Sequence, residues 1–168
     1  MKLVYYSFAL ALVLSGCATT TPPPQWNPVT ESAEAEYASY FNAGTATLLG
    51  QAFLTTQGGR VIRAAGRTVT LDPATSTGKE WWGKAGKLWV HRALTPPSAA
   101  FAKARRTAVA DADGKFKFSG LPMGKYYVRT EVTWEIGGYN PTQGGLVGHL
   151  IEIQDGETKE VVLNQFAH

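Results

Sequence analysis

Three tryptophans and four cations crowd the stretch Lys79-Glu80-Trp81-Trp82-Gly83-Lys84-Ala85-Gly86-Lys87-Leu88-Trp89-Val90-His91-Arg92. Indole faces beside ammonium and guanidinium groups can stack on sugar rings or lie at a lipid headgroup surface. Trp81, Trp82, Trp89, Lys84, Lys87 and Arg92 are therefore the candidate ligand-binding residues, against the alternative that the tryptophans cap a core. A second grouping, His149-Leu150-Ile151-Glu152, has the His-x-x-Glu spacing of zinc hydrolases. On a strand, residues three apart face opposite ways, so His149 and Glu152 could not reach one metal. A third ligand would have to be His91 or His168, and no zinc site is expected. Asp111-Ala112-Asp113-Gly114 resembles part of a calcium loop but lacks its further acidic ligands, and a hairpin turn is the expectation. No Gly-x-Ser-x-Gly, phosphate loop or dinucleotide fingerprint occurs, so neither catalysis nor a cofactor is expected.

One further group carries chemistry. Cys17 is the only cysteine, which excludes an intramolecular disulfide. It follows Met1-Lys2 and the mostly apolar run Leu3 to Leu14, too short to span a bilayer permanently, and then Ser15-Gly16. Leu14-Ser15-Gly16-Cys17 resembles the bacterial lipobox, in which small residues admit a peptidase and the thiol accepts a diacylglyceryl group. The resemblance implies that residues 1–16 are a cleaved signal peptide and that acyl chains on Cys17 hold the protein to a membrane of the cell envelope. Each buried methylene contributes about 0.8 kcal/mol, so two or three chains suffice. Ala18, where enterobacterial retention signals carry Asp, favours the outer membrane. Cys17→Ala is expected to abolish palmitate labelling and release or leave unprocessed the protein; label retained by the variant would refute the anchor.

Residues 17–43 then read as a tether. Pro22-Pro23-Pro24 favours an extended spacer, and Thr30 to Phe41 a short helix ended by Asn42-Ala43-Gly44. Three acids lie here, leaving residues 39–168 with 15 Lys and Arg against 10 Asp and Glu. That balance favours anionic lipid or polymer and is too dispersed for nucleic acid.

From residue 44 onward, short runs of Val, Leu, Tyr, Phe and Thr alternate with Gly, Pro and Asp. The pattern predicts strands near Ala46–Leu54, Thr68–Leu71, Leu88–His91, Thr107–Ala110, Lys115–Phe118, Tyr126–Thr133, Leu146–Gln154 and Glu160–Leu163. Tyr126, Val128, Thr130 and Val132 should face one way, Arg129 and Glu131 the other. Turns are expected at 111–114 and at Leu121-Pro122-Met123-Gly124. Paired apolar faces call for an all-β sandwich over residues 44–168, interrupted by an insertion at about 76–106.

Gly66-Arg-Thr-Val69-Thr-Leu71-Asp-Pro73, Asp113-Gly114-Lys-Phe116-Lys-Phe118, Leu121-Pro122-Met-Gly124-Lys-Tyr126 and Ile151-Glu-Ile153-Gln-Asp-Gly156 together resemble the carboxypeptidase regulatory-like domains. The resemblance implies a transthyretin-like β-sandwich of about seven strands with Greek-key connections, used as an accessory or stand-alone envelope module. It transfers no catalytic residue, since the matching positions are turn and core residues. The insertion departs from the family pattern and is the place to look for function. The expected role is a non-enzymatic binding or scaffolding module for an envelope protein. A glycan-binding module using the tryptophan-rich insertion is the alternative, and a secretion-system lipoprotein a third by fold analogy alone.

Overall fold

The computed structural model describes residues 34–85, 98–138 and 142–166, with side chains given for all of these except 83–85. The expected signal peptide, Cys17, the proline-rich stretch and the strand expected at Leu88–His91 lie outside the described residues. Among the described residues are eight strands: β1 (Ala46–Thr55), β2 (Val61–Arg63), β3 (Thr68–Pro73), β4 (Arg106–Val109), β5 (Lys115–Leu121), β6 (Gly124–Glu135), β7 (Thr142–Ile153) and β8 (Thr158–Leu163). A 3-10 turn spans Ala38–Phe41, where the sequence predicts a short helix. Two helices, α1 (Ser76–Ala85) and α2 (Ala99–Ala104), occupy the insertion.

The strands form an all-β sandwich of two four-stranded sheets. In the first sheet β1 pairs with β5 and then β2 along one side, and with β8 along the other; only the β1–β8 pair is parallel. The second has the order β4-β3-β6-β7, all antiparallel. Alternation sets the faces as the sequence predicts. Tyr126, Val128, Thr130 and Val132 are buried between the sheets, with Phe116, Phe118, Ile151, Ile153 and Leu163. Arg129 and Glu131 point to the other side of β6. β2 escapes the sequence reading because three residues are too few to show a period.

The two turn signals differ from expectation in one respect. At Asp111–Gly114 the side chain of Asp111 accepts from the backbone of Asp113 (2.9 Å) and Lys115 (2.8 Å), and Gly114 takes a φ of 75° that disfavours any side chain. The turn is tight, but it joins β4 of the second sheet to β5 of the first, so it is a corner between sheets and not a hairpin. The turn at Leu121–Gly124 crosses back in the same manner, from β5 to β6.

Close packing of β1 on β5 depends on Gly50. It lies opposite Phe116, and a Cβ built on it would sit 2.1 Å from the ring's Cζ.

Candidate functional site

The outer face of the second sheet is where sequence reasoning would place function, because the insertion covers it. Register puts Thr70 opposite Arg129 and Asp72 opposite Tyr127, and all four lie on the face away from the sandwich core. α1 starts where Thr75, itself buried, accepts a hydrogen bond from the Gly78 amide (3.0 Å), an N-cap. Gly78 lets that first turn approach the strand, since a Cβ there would meet the Pro73 carbonyl oxygen at 2.3 Å. α2 starts on Ser98, whose hydroxyl accepts from the Phe101 amide (3.0 Å). The entering chain joins the same layer: the Glu36 carboxylate accepts from the Thr77 amide (3.2 Å), and Tyr37 is wholly buried.

A second core results, built from Tyr37, Trp81, Trp82, Ala100, Phe101 and Ala104. Through it runs a ladder of alternating rings and guanidinium groups. Arg105 lies 5.0 Å from the Phe101 ring and 5.3 Å from Trp81; Arg129 lies 5.1 Å from Trp81 and 5.0 Å from Trp82. Trp82 then stacks on Tyr127 with centroids 4.6 Å apart and planes 11° from parallel. The anion of the ladder is Asp72, 1% exposed. Arg105 donates to both its oxygens, at 2.5 and 3.0 Å, and Arg129 approaches to 3.8 Å while its Nε donates to Thr70 (3.2 Å). Burial pulls the Arg129 guanidinium below the ordinary arginine value, Asp72 opposes that, and Arg105 adds to it.

This arrangement joins helices to sheet and holds no reactive group. Its carboxylate is engaged by two cations, and arginine neither gives nor takes protons near neutral pH. The phenols of Tyr37, Tyr40, Tyr126 and Tyr127 are all pushed up by burial, so they stay neutral there too.

The sequence-predicted ligand residues separate accordingly. Trp81 and Trp82 are 2% and 4% exposed, so neither offers a free face to a sugar ring. The alternative weighed from sequence, that they cap a core, describes them, although the core is a second one outside the sandwich. Trp89, Lys87 and Arg92 lie outside the described residues, and of Lys84 only the backbone, within α1, is described. His149 faces the core side of β7 opposite Val128, while Glu152 lies opposite Lys125 on the outer side, its carboxylate 3.7 Å from the Lys125 ammonium. Among the described residues no three His, Cys, Asp or Glu side chains are grouped to hold a metal, and no helix is long and apolar enough to cross a membrane.

Sequence reasoning missed Asp72, Arg105 and Arg129. The available signal was Asp72 itself, since aspartate is depleted in strands and one closing an apolar strand needs a partner.

No family model matches the chain, and no curated protein matches it. Among solved structures, a Pseudomonas aeruginosa protein to which carbohydrate binding has been provisionally ascribed is similar at 30% identity and a TM-score of 0.67, covering 79% of this chain and 96% of its own. A minor pilin of Streptococcus agalactiae (19% identity, TM-score 0.40) is matched over 73% of this chain and 44% of its own. The major pilin subunit of Bacillus cereus (16%, TM-score 0.42) is matched over 72% and 30%.

Proposed function

We propose, from the premise that the chain belongs to the same family as the Pseudomonas aeruginosa protein, that it is a non-enzymatic binding module whose ligand is carbohydrate, held at the cell envelope by acyl chains on Cys17. The observation that carries the reading is the likeness over 96% of that protein's length at 30% identity. It moves a glycan ahead of the protein partner expected from sequence. Two structural features are consistent with a binding role. Among the described residues, a buried ion cluster holds a helical layer on the second sheet, and the first sheet presents its outer face. A tether on Cys17 would keep the module in a thin layer beside its ligand, where effective concentration offsets weak intrinsic affinity.

Isothermal titration of the detergent-solubilised full chain with peptidoglycan fragments and lipopolysaccharide core oligosaccharides tests the ligand class. Saturable binding of at least one is expected. Absence of binding to every glycan, with one envelope protein recovered by crosslinking in intact cells, would replace carbohydrate by a protein partner.

A further inference from the structure

The two outer faces of the sandwich are unlike. Among the described residues, α2 packs on β3 and on the 3-10 turn, both on the side of the second sheet. Among the described residues, no helix forms such a layer on the outer face of the first sheet.

Its composition follows from register. Leu48, Ala52 and Leu54 of β1 are buried between the sheets, so Leu49, Gln51 and Phe53 point outward, each half-buried. Lys117 lies opposite Leu49, Lys115 opposite Gln51 and Arg63 opposite Phe53. On the parallel neighbour, Val162, 49% exposed, lies beside Gln51, and Glu160 beside Leu49. The face is thus an apolar strip of Leu49, Phe53 and Val162 with Lys117, Lys115 and Arg63 in a row along one side of it. Lys115, Lys117 and Arg63 are exposed, and none has an ion pair among the described residues. Glu160 is the single acid among the outward residues of these four strands, and Asp113, whose carbonyl accepts from Gln51, stands in the turn at their end.

We infer that this outer face of β5, β1, β8 and β2 is the docking surface for an acidic polysaccharide, one whose sugar rings carry carboxylate or phosphate groups. The inference rests on the carbohydrate reading above and names its site and charge class. Ring C–H faces would lie on the strip of Leu49, Phe53 and Val162, while acidic groups pair with the row of cations along its side. Lys117 and Lys115, two residues apart on one strand, stand about 7 Å from each other, and Arg63 continues the row on the same side of β1, about 7 Å further along. Cations so placed meet an extended polyanion at several points, which a single small anion could not exploit. Three cations against one acid supply the charge complementarity, in line with the basic excess of residues 39–168. The entering chain at Glu36 and Tyr37 belongs to the helical layer on the opposite side, so this face is turned away from where the tether joins.

The test uses the full chain in detergent with polygalacturonate, neutral dextran and phosphatidylglycerol vesicles as probes, at low and high salt. Wild type is expected to bind polygalacturonate, less tightly as salt rises. The triple variant Arg63→Glu/Lys115→Glu/Lys117→Glu should bind at least tenfold more weakly with an unchanged melting temperature. Because three strand substitutions could disturb folding, Glu160→Gln provides an opposite reading: it removes the one acid and should tighten binding. If polygalacturonate binds both variants as it binds wild type, the site lies elsewhere and the carbohydrate reading survives without this face. Binding of dextran alone keeps carbohydrate and removes the acidic class. Binding of vesicles alone makes the face a membrane contact and overturns the inference. Binding of no glycan at all overturns both readings.

Discussion

Replacing Asp72 with alanine is expected to destabilise the domain by about 3–5 kcal/mol, a large share of the roughly 5–15 kcal/mol that holds an ordinary domain together. Asp72 is 1% exposed and stands between two guanidinium groups whose side chains are only 21% and 15% exposed. Without it, Arg105 and Arg129 keep their charges in a poorly solvated layer with no anion between them. Arg129 suffers more, since burial already acts against its charged form and Asp72 is what opposes that. Denaturant unfolding should show the loss. Tryptophan emission should shift to the red as well, because Trp81 and Trp82 can stay dry only while the arginines packed against them are neutralised. The measured loss is the penalty of stranding two cations rather than the net worth of the ion pairs. Accordingly, Asp72→Leu combined with Arg105→Met and Arg129→Leu should recover much of it. A loss below about 1 kcal/mol for Asp72→Ala would mean that ring stacking alone holds the helices.

The second large effect lies in the sandwich itself. Gly50→Ala should destabilise by about 1–3 kcal/mol, the usual range for overpacking a core. Glycine in a strand is ordinarily a weakness, and alanine would normally improve matters by about 0.5–1 kcal/mol. Here the added methyl would lie 2.1 to 2.7 Å from three carbons of the Phe116 ring, which is 5% exposed and packed edge-on to Phe118. The ring cannot swing into solvent without opening the core. If it is the obstacle, the penalty should vanish in a Phe116→Leu background, where the methyl occupies space that the ring has left. A double-mutant cycle read by urea midpoints would give a coupling of the same size, about 1–3 kcal/mol. Additive losses would locate the strain in the backbone of β1.

Both effects depend on contacts made across the chain, and so did most of what sequence reading missed. The alternating runs of β5, β6 and β7 were legible because their period of two reports which side of a strand is buried, whatever it is buried against. The turns at Asp111–Gly114 and Leu121–Gly124 were legible as turns for a similar reason: aspartate bonding to nearby amides and glycine at positive φ are local matters. Their role as corners between sheets was not, because Asp-Gly chemistry is the same whether the following strand returns beside its predecessor or pairs with β1. In the insertion, Trp81, Trp82 and their neighbouring cations were noticed, but two cations that meet the tryptophans come from distant parts of the chain. Arg129 comes from β6 and Arg105 from beyond α2.

The amino-acid sequence by itself determined that this chain carries a lone cysteine behind a short apolar run, that its main body is all-β, and which side of each long strand is apolar. These are properties of residue type and spacing over a few neighbours, and they need no knowledge of what lies opposite. Tertiary structure alone decided that the tryptophan pair is interior, because burial of an indole depends on a surface elsewhere in the chain being free to receive it. It also decided which faces of the two sheets differ. A helical layer reached the second sheet because Asp72 and Arg129 are adjacent there only through the pairing of β3 with β6. On the first sheet, residues from β1, β2, β5 and β8 came together as an apolar strip beside a row of cations because strand pairing placed them side by side. A linear reading of four separated segments has no physical term for that neighbourhood.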